Sequence, residues 1–158
     1  MINARANHES FMAQALLEAE KAAQAGEVPV GAVAVKDGQV IARAHNVRET
    51  TCDPCGHAEI LAIKKAAQTL GTWKLADVTL YVTLEPCPMC AGAIGQCRVD
   101  QVVFGAYDPA MGCAGSVYEL CGDRRVQANT KILGGILKES CEKLLSDFFR
   151  SRRTQTEK

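Results

Sequence analysis

Apolar residues recur along this chain with two periods, and the periods mark out its elements. From about residue 8 to 25, Met12, Leu16 and Ala19 fall at helical spacing, and Gly26 supplies a stop. Val28-Pro-Val-Gly-Ala-Val-Ala-Val35 is short, apolar and rich in β-branched residues, which predicts a strand. Asp37-Gly38 is a hairpin signal, with Gln39 to Ala44 returning as the partner strand. A loop rich in Thr, Asp, Pro and Gly spans about 46 to 56. Ala58 to Leu70 reads as a helix that ends at Gly71. Val78 to Leu84 is nearly all apolar, as in a strand buried on both faces, and Val102 to Gly105 reads likewise. Between them Pro88 to Gln96 forms a short helix, with proline tolerated in its first turn. A weaker helix is expected near Ser116 to Leu120, and a short strand at Lys131 to Leu133. From Leu137 to Arg150, apolar residues including Cys141, Leu144, Leu145, Phe148 and Phe149 line one helical face. Helix, hairpin, then alternating helix and strand imply an α/β protein. The expected architecture is three-layer α/β/α, a mixed sheet of about five strands flanked by helices.

Length and composition narrow the classes. The 158 residues read as a single domain, 1–158, with a loose basic tail from about 150. In that tail Arg150, Arg152, Arg153 and Lys158 face only Glu157. Over the whole chain 18 basic residues balance 18 acidic ones, which excludes a globally basic, non-specific nucleic-acid binder. There is no apolar run of membrane-spanning length and no charged-then-apolar leader, so the expected setting is cytoplasmic. In a reducing compartment the eight cysteines are metal ligands, nucleophiles or small core fillers before they are disulfides.

Two clusters carry chemistry: His57-Ala58-Glu59, and Pro86-Cys87-Pro88-Met89-Cys90. Each opens a predicted helix. Cysteines at i and i+3 share a helical face and can grip one metal ion, and the positive end of the helix favours the thiolate. One His and two Cys leave a tetrahedral zinc with one open position, the pattern of a catalytic site. Zinc lowers the pKa of bound water to roughly 7. Glu59, two residues after His57, can face that water as a proton shuttle without ligating the metal. A four-cysteine structural site is the competing arrangement, with Cys52 and Cys55 joining Cys87 and Cys90. It leaves His57 and Glu59 without a role. The other cysteines, Cys97, Cys113, Cys121 and Cys141, read as apolar filler, and Trp73 as a packing residue. Of Phe148 and Phe149, one belongs to the core and the other, Phe149, is the candidate to stack on a substrate base.

The combination H-A-E … P-C-x-x-C resembles the zinc-dependent cytidine/deoxycytidylate deaminase superfamily. Further stretches resemble its bacterial tRNA adenosine deaminases: Glu27-Val-Pro-Val-Gly-Ala32, Leu80 to Cys87, Val102-Val-Phe-Gly-Ala106 with Asp108, and Leu144-Leu-Ser-Asp-Phe-Phe-Arg150. The resemblance runs from about residue 8 to 153. It implies a cytidine-deaminase-like fold, one Zn2+ per subunit on His57, Cys87 and Cys90, and Glu59 as general acid and base. It implies that Asn46 hydrogen-bonds the base, that Val30 walls the pocket, and that Asp108 meets the ribose. It also implies a homodimer, a tRNA anticodon stem-loop as partner, and conversion of adenosine to inosine at the wobble position. A deaminase of a free base, nucleoside or nucleotide (guanine, cytosine or a cytidine derivative) shares the zinc site and is the alternative.

Overall fold

The computed structural model describes residues 3–126 and 128–156. Glu157 and Lys158 of the basic tail lie outside them. The elements are α1 (Ala4–Gln24), β1 (Gly31–Lys36), β2 (Gln39–His45), α2 (Ala58–Leu70), β3 (Val78–Leu84), α3 (Pro88–Gln96), β4 (Gln101–Ala106), β5 (Lys131–Leu133) and α4 (Lys138–Thr156). A single 3-10 turn covers Arg124–Val126.

The five strands form one mixed sheet in the order β2-β1-β3-β4-β5. β1 runs antiparallel to both β2 and β3, whereas β3, β4 and β5 are parallel. Side-chain alternation splits the core in two. Ala32 and Ala34 face α2 and α3 with Leu80, Val82 and Ile94, while Val33 and Val35 face α1 and α4 with Tyr81, Met12 and Cys141. This is the expected three-layer arrangement. Gly31 is required by it: any side chain there would collide with the backbone of α1 at Ala15 and Ala19. Cys97, Cys113, Cys121 and Cys141 are buried, as fillers should be, whereas Cys52 and Cys55 are exposed.

Four local readings need correction. β1 begins at Gly31, not Val28, because the Val30 amide turns back to the Val28 carbonyl at 2.9 Å. No helix forms at 116–120. The amides of Ala114 and Ser116 are instead drawn to Glu85, and Ala114 bridges to Glu119. α4 does not stop at Arg150 but continues to Thr156, since nothing in 150–156 breaks a helix and Arg152 bonds back to the Gly26 carbonyl. Trp73 is not packed away but is 57% exposed.

Candidate active site

The site lies beyond the C-terminal ends of the parallel strands β3 and β4, where an open α/β sheet presents its loops and helix N-termini. α2 and α3 both begin there. His57 is the N-cap of α2 and Cys87 the N-cap of α3, and neither side chain makes a capping hydrogen bond. Residues with other work thus replace the usual Ser or Asp cap. Pro88 at the first position of α3 costs no hydrogen bond there.

His57 Nδ1 lies 3.6 Å from Cys87 Sγ and 3.5 Å from Cys90 Sγ, and the three ligand atoms are all within 4.8 Å of one another. A tetrahedral zinc with its ordinary Zn–S and Zn–N bond lengths would separate N from S by about 3.6 Å. The donor set therefore fits the ion in both chemistry and spacing. Cys52 and Cys55 do not join the group among the described residues.

Electrostatics favour a ligand role for Cys87. The hydrogen bond from Cys90, against the opposing effect of burial and with help from His57, holds the Cys87 thiol down to about 4, which favours its thiolate. That same thiolate, together with burial and the Glu59 charge, pushes Cys90 far above the usual thiol range. The Cys87 bond also raises His57, against the opposing effect of burial.

Glu59 follows in the first turn of α2 and is 4% exposed. Burial pushes its carboxyl up to about 7, with its own backbone amide opposing and the Cys87 charge adding to the rise. A carboxyl poised near neutrality can both accept and release protons.

A cavity of about 270 Å³ opens onto this cluster and is lined by Val30, Asn46, His57, Glu59, Cys87 and Asp108, among others. Every residue expected at the site lines it except Cys90, which lies beneath, and Phe149. Phe149 is 48% exposed on α4 and meets Phe148 edge-on at 5.5 Å, away from the cavity wall. Asn46 braces two segments: Nδ2 donates to the Val28 carbonyl at 3.2 Å, and Oδ1 accepts from the Arg48 amide at 3.1 Å. Each end keeps one further hydrogen-bonding position. Asp108 Oδ1 accepts from the amides of Ala110 and Met111, at 2.9 and 3.1 Å.

Sequence reasoning missed Glu85 and Glu27. Glu85 is buried in the cavity lining and accepts from the amides of Asp108, Ala114 and Ser116, and from the Ser116 hydroxyl at 2.5 Å. Burial works against its charge, but these bonds win and hold the carboxyl below its usual value. It thereby pins the 107–116 loop over the site. Glu27 accepts from the Thr50 amide at 2.6 Å and ties the β1 entry to the 46–56 loop. The signal in the sequence was a lone carboxylate beside an apolar strand, in each case a costly placement unless it is paired.

A mixed five-stranded sheet with this ligand set at its strand ends is a cytidine-deaminase-like fold. Residues 6–153 match the family described as MafB19-like deaminases. The tRNA-specific adenosine deaminase of Bacillus subtilis (strain 168) is 52% identical over 145 residues, covering 92% of this chain and 90% of that protein. A solved structure from studies of A-to-I editing by tRNA:A34 deaminases superposes with a TM-score of 0.83 at 39% identity, over 86% of this chain and 99% of that one. A guanine deaminase from Bacillus subtilis superposes with a TM-score of 0.61 at 45% identity, over 63% of this chain and 64% of that one. The chain belongs to the MafB19-like deaminases and, within them, groups with the tRNA-specific adenosine deaminases.

Proposed function

We propose that the protein hydrolytically deaminates adenosine to inosine at the wobble position, A34, of tRNA. The observation that carries the chemistry is the His57–Cys87–Cys90 cluster at the floor of one cavity that buried Glu59, the Asn46 amide and the apolar Val30 also line. The curated relatives that share 52% and 44% of the aligned residues, all tRNA-specific adenosine deaminases, support the substrate.

His57 Nδ1 and the sulfurs of Cys87 and Cys90 would hold one zinc per subunit. When bound, it supplies the Lewis acidity that makes water nucleophilic at neutral pH. Glu59 handles the protons. Its carboxylate takes one proton from the attacking water and hands it to the purine N1; it then takes the proton of the new C6 hydroxyl and passes it to the departing amine, leaving the C6 carbonyl. Water adds at C6, the C6–N6 bond breaks, ammonia leaves, and inosine remains. Asn46 uses its remaining donor and acceptor positions on the base. Val30 provides an apolar wall, and Asp108 offers Oδ2, its uncommitted oxygen, to a ribose hydroxyl. The adenosine must leave its stack to enter so small a cavity. Phe149, on the surface of α4, stacks on a neighbouring base of the loop. The reading also includes a homodimer in the cytoplasm, so light scattering should return twice the 17.0 kDa chain mass.

Removing the metal tests the reading. Dialysis against a chelator should abolish inosine formation in an anticodon stem-loop, and one equivalent of Zn2+ should restore it. Full activity in metal-free protein would overturn the mechanism.

A further inference from the structure

A second, larger cleft of about 490 Å³ lies at the other end of the sheet. It is lined by residues that precede the parallel strands: Asp77 before β3, Asp100 before β4, Asn129 and Thr130 before β5, with Trp73 and Arg98 beside them. β3 has seven residues, so the two cavities stand roughly 20 Å apart, at about 3.3 Å per residue.

Three observations concern the same spot. Trp73 is the only tryptophan in the chain and leaves 57% of its surface to solvent. Two cations lie against its ring, Lys74 Nζ at 5.4 Å and Arg98 Cζ at 5.8 Å from the centroid. Neither has a carboxylate partner among the described residues. The carboxylates that line the cleft are already engaged: Asp77 pairs with Lys36 at 3.7 Å, and Asp100 with Lys131 at 3.5 Å. Among the charges at the cleft, Lys74 beside Trp73 and Arg98 in the lining are thus the cations left to meet an anion. Arg98 is fixed by a left-handed backbone, φ 59°, where α3 ends and its amide bonds the Gly95 carbonyl at 3.2 Å.

We propose that this cleft binds a nucleoside monophosphate unit, its base on the Trp73 ring and its phosphate between Lys74 and Arg98. An exposed aromatic face favours a flat π-system, and unpaired cations favour a phosphate. Asn129 offers an exposed amide to the base edge. The unit comes from a free nucleotide or from one residue of an RNA strand.

Because Trp73 is the sole tryptophan, its fluorescence reports on the cleft directly. The zinc-loaded full chain is titrated with 5′-UMP, with uridine, with inorganic phosphate, and with a short oligouridylate. Uracil has no amine for the catalytic site to remove. Saturable quenching is expected from 5′-UMP and from the oligomer, but not from uridine or phosphate alone at equal concentration. Lys74→Gln and Arg98→Gln should each weaken it by about tenfold. An oligomer that binds more than tenfold tighter than 5′-UMP identifies an RNA strand, and equal binding identifies the free nucleotide. In Trp73→Leu, whose folding an exposed side chain does not control, anisotropy of a labelled oligomer should show the same loss. Unmoved fluorescence with both 5′-UMP and oligomer, quenching by phosphate alone, or quenching unchanged in Arg98→Gln would each overturn the proposal.

Discussion

Glu59 and Glu85 are both buried carboxylates, yet their surroundings shift them in opposite directions. Glu59 has few partners, so burial dominates and lifts it to about 7. Glu85 collects three amides and a hydroxyl, which outweigh burial and keep it charged. A proton carrier must change state and a staple must not. Glu59→Ala should therefore keep its zinc, measured by elemental analysis, while inosine formation falls by at least the 10²–10⁴-fold that proton shuttling is typically worth. Glu85→Gln turns an NH2 toward the amides it should accept from. Its loss should be about 1–3 kcal/mol in urea denaturation, with the 107–116 loop opened to proteolysis. The ligand triad and Glu59 were legible in the sequence because residue type and short spacing specify them. The roles of Glu85 and Glu27 were not, since their partners lie more than twenty residues away in loops whose paths only the fold decides.

Elements followed the hydrophobic pattern wherever burial fixed them. Val78–Leu84 became β3 with the bounds its apolar run implied, and Asp37-Gly38 turned the hairpin. The pattern failed at 116–120, where the Val117 and Tyr118 amides turn back to the Gly112 carbonyl and the Leu120 amide bonds the Cys113 carbonyl, not that of Ser116, and at α4, where no stop signal exists for a pattern to find. Close packing of α1 on β1 rests on Gly31, so Gly31→Ala should cost about 1–3 kcal/mol of stability by urea denaturation. The β1 entry is tied to the 46–56 loop by Glu27. Burial raises its pKa, but the amides of Thr50 and Glu49, with Arg152 nearby, bring it below 4.5. A carboxyl lowered in the fold contributes fully above 4.5 and loses that contribution as pH falls through its folded value. The stability gap between wild type and Glu27→Gln should thus be constant from pH 7 to 5 and close under stronger acid. A gap independent of pH would show that Glu27 is not ionised in the fold.

Across the whole molecule, zero net charge and a nucleic-acid substrate are reconciled by local distribution. Basic residues gather on α4 after the aromatic pair, and Arg152 sits over Phe148 at 5.0 Å while bonding the Gly26 carbonyl. The end of α4 thus joins the surface beside the cavity wall instead of trailing as a loose tail. Truncation after Ser146 should weaken deamination of tRNA while zinc content stays at one per chain; unchanged tRNA activity in the folded truncation would remove α4 from the substrate surface. Composition alone could not reveal this, because it averages over a surface whose charges are segregated. The most direct test of the central claim offers purified, zinc-loaded protein an anticodon stem-loop with A34, the same stem-loop with G34, and free adenosine, guanine and cytidine, and follows ammonia release. The account predicts stoichiometric inosine at A34, lost as salt rises because phosphate contacts carry the binding, and no comparable turnover of the free compounds. Rapid, salt-insensitive deamination of a free base with an untouched stem-loop would contradict it.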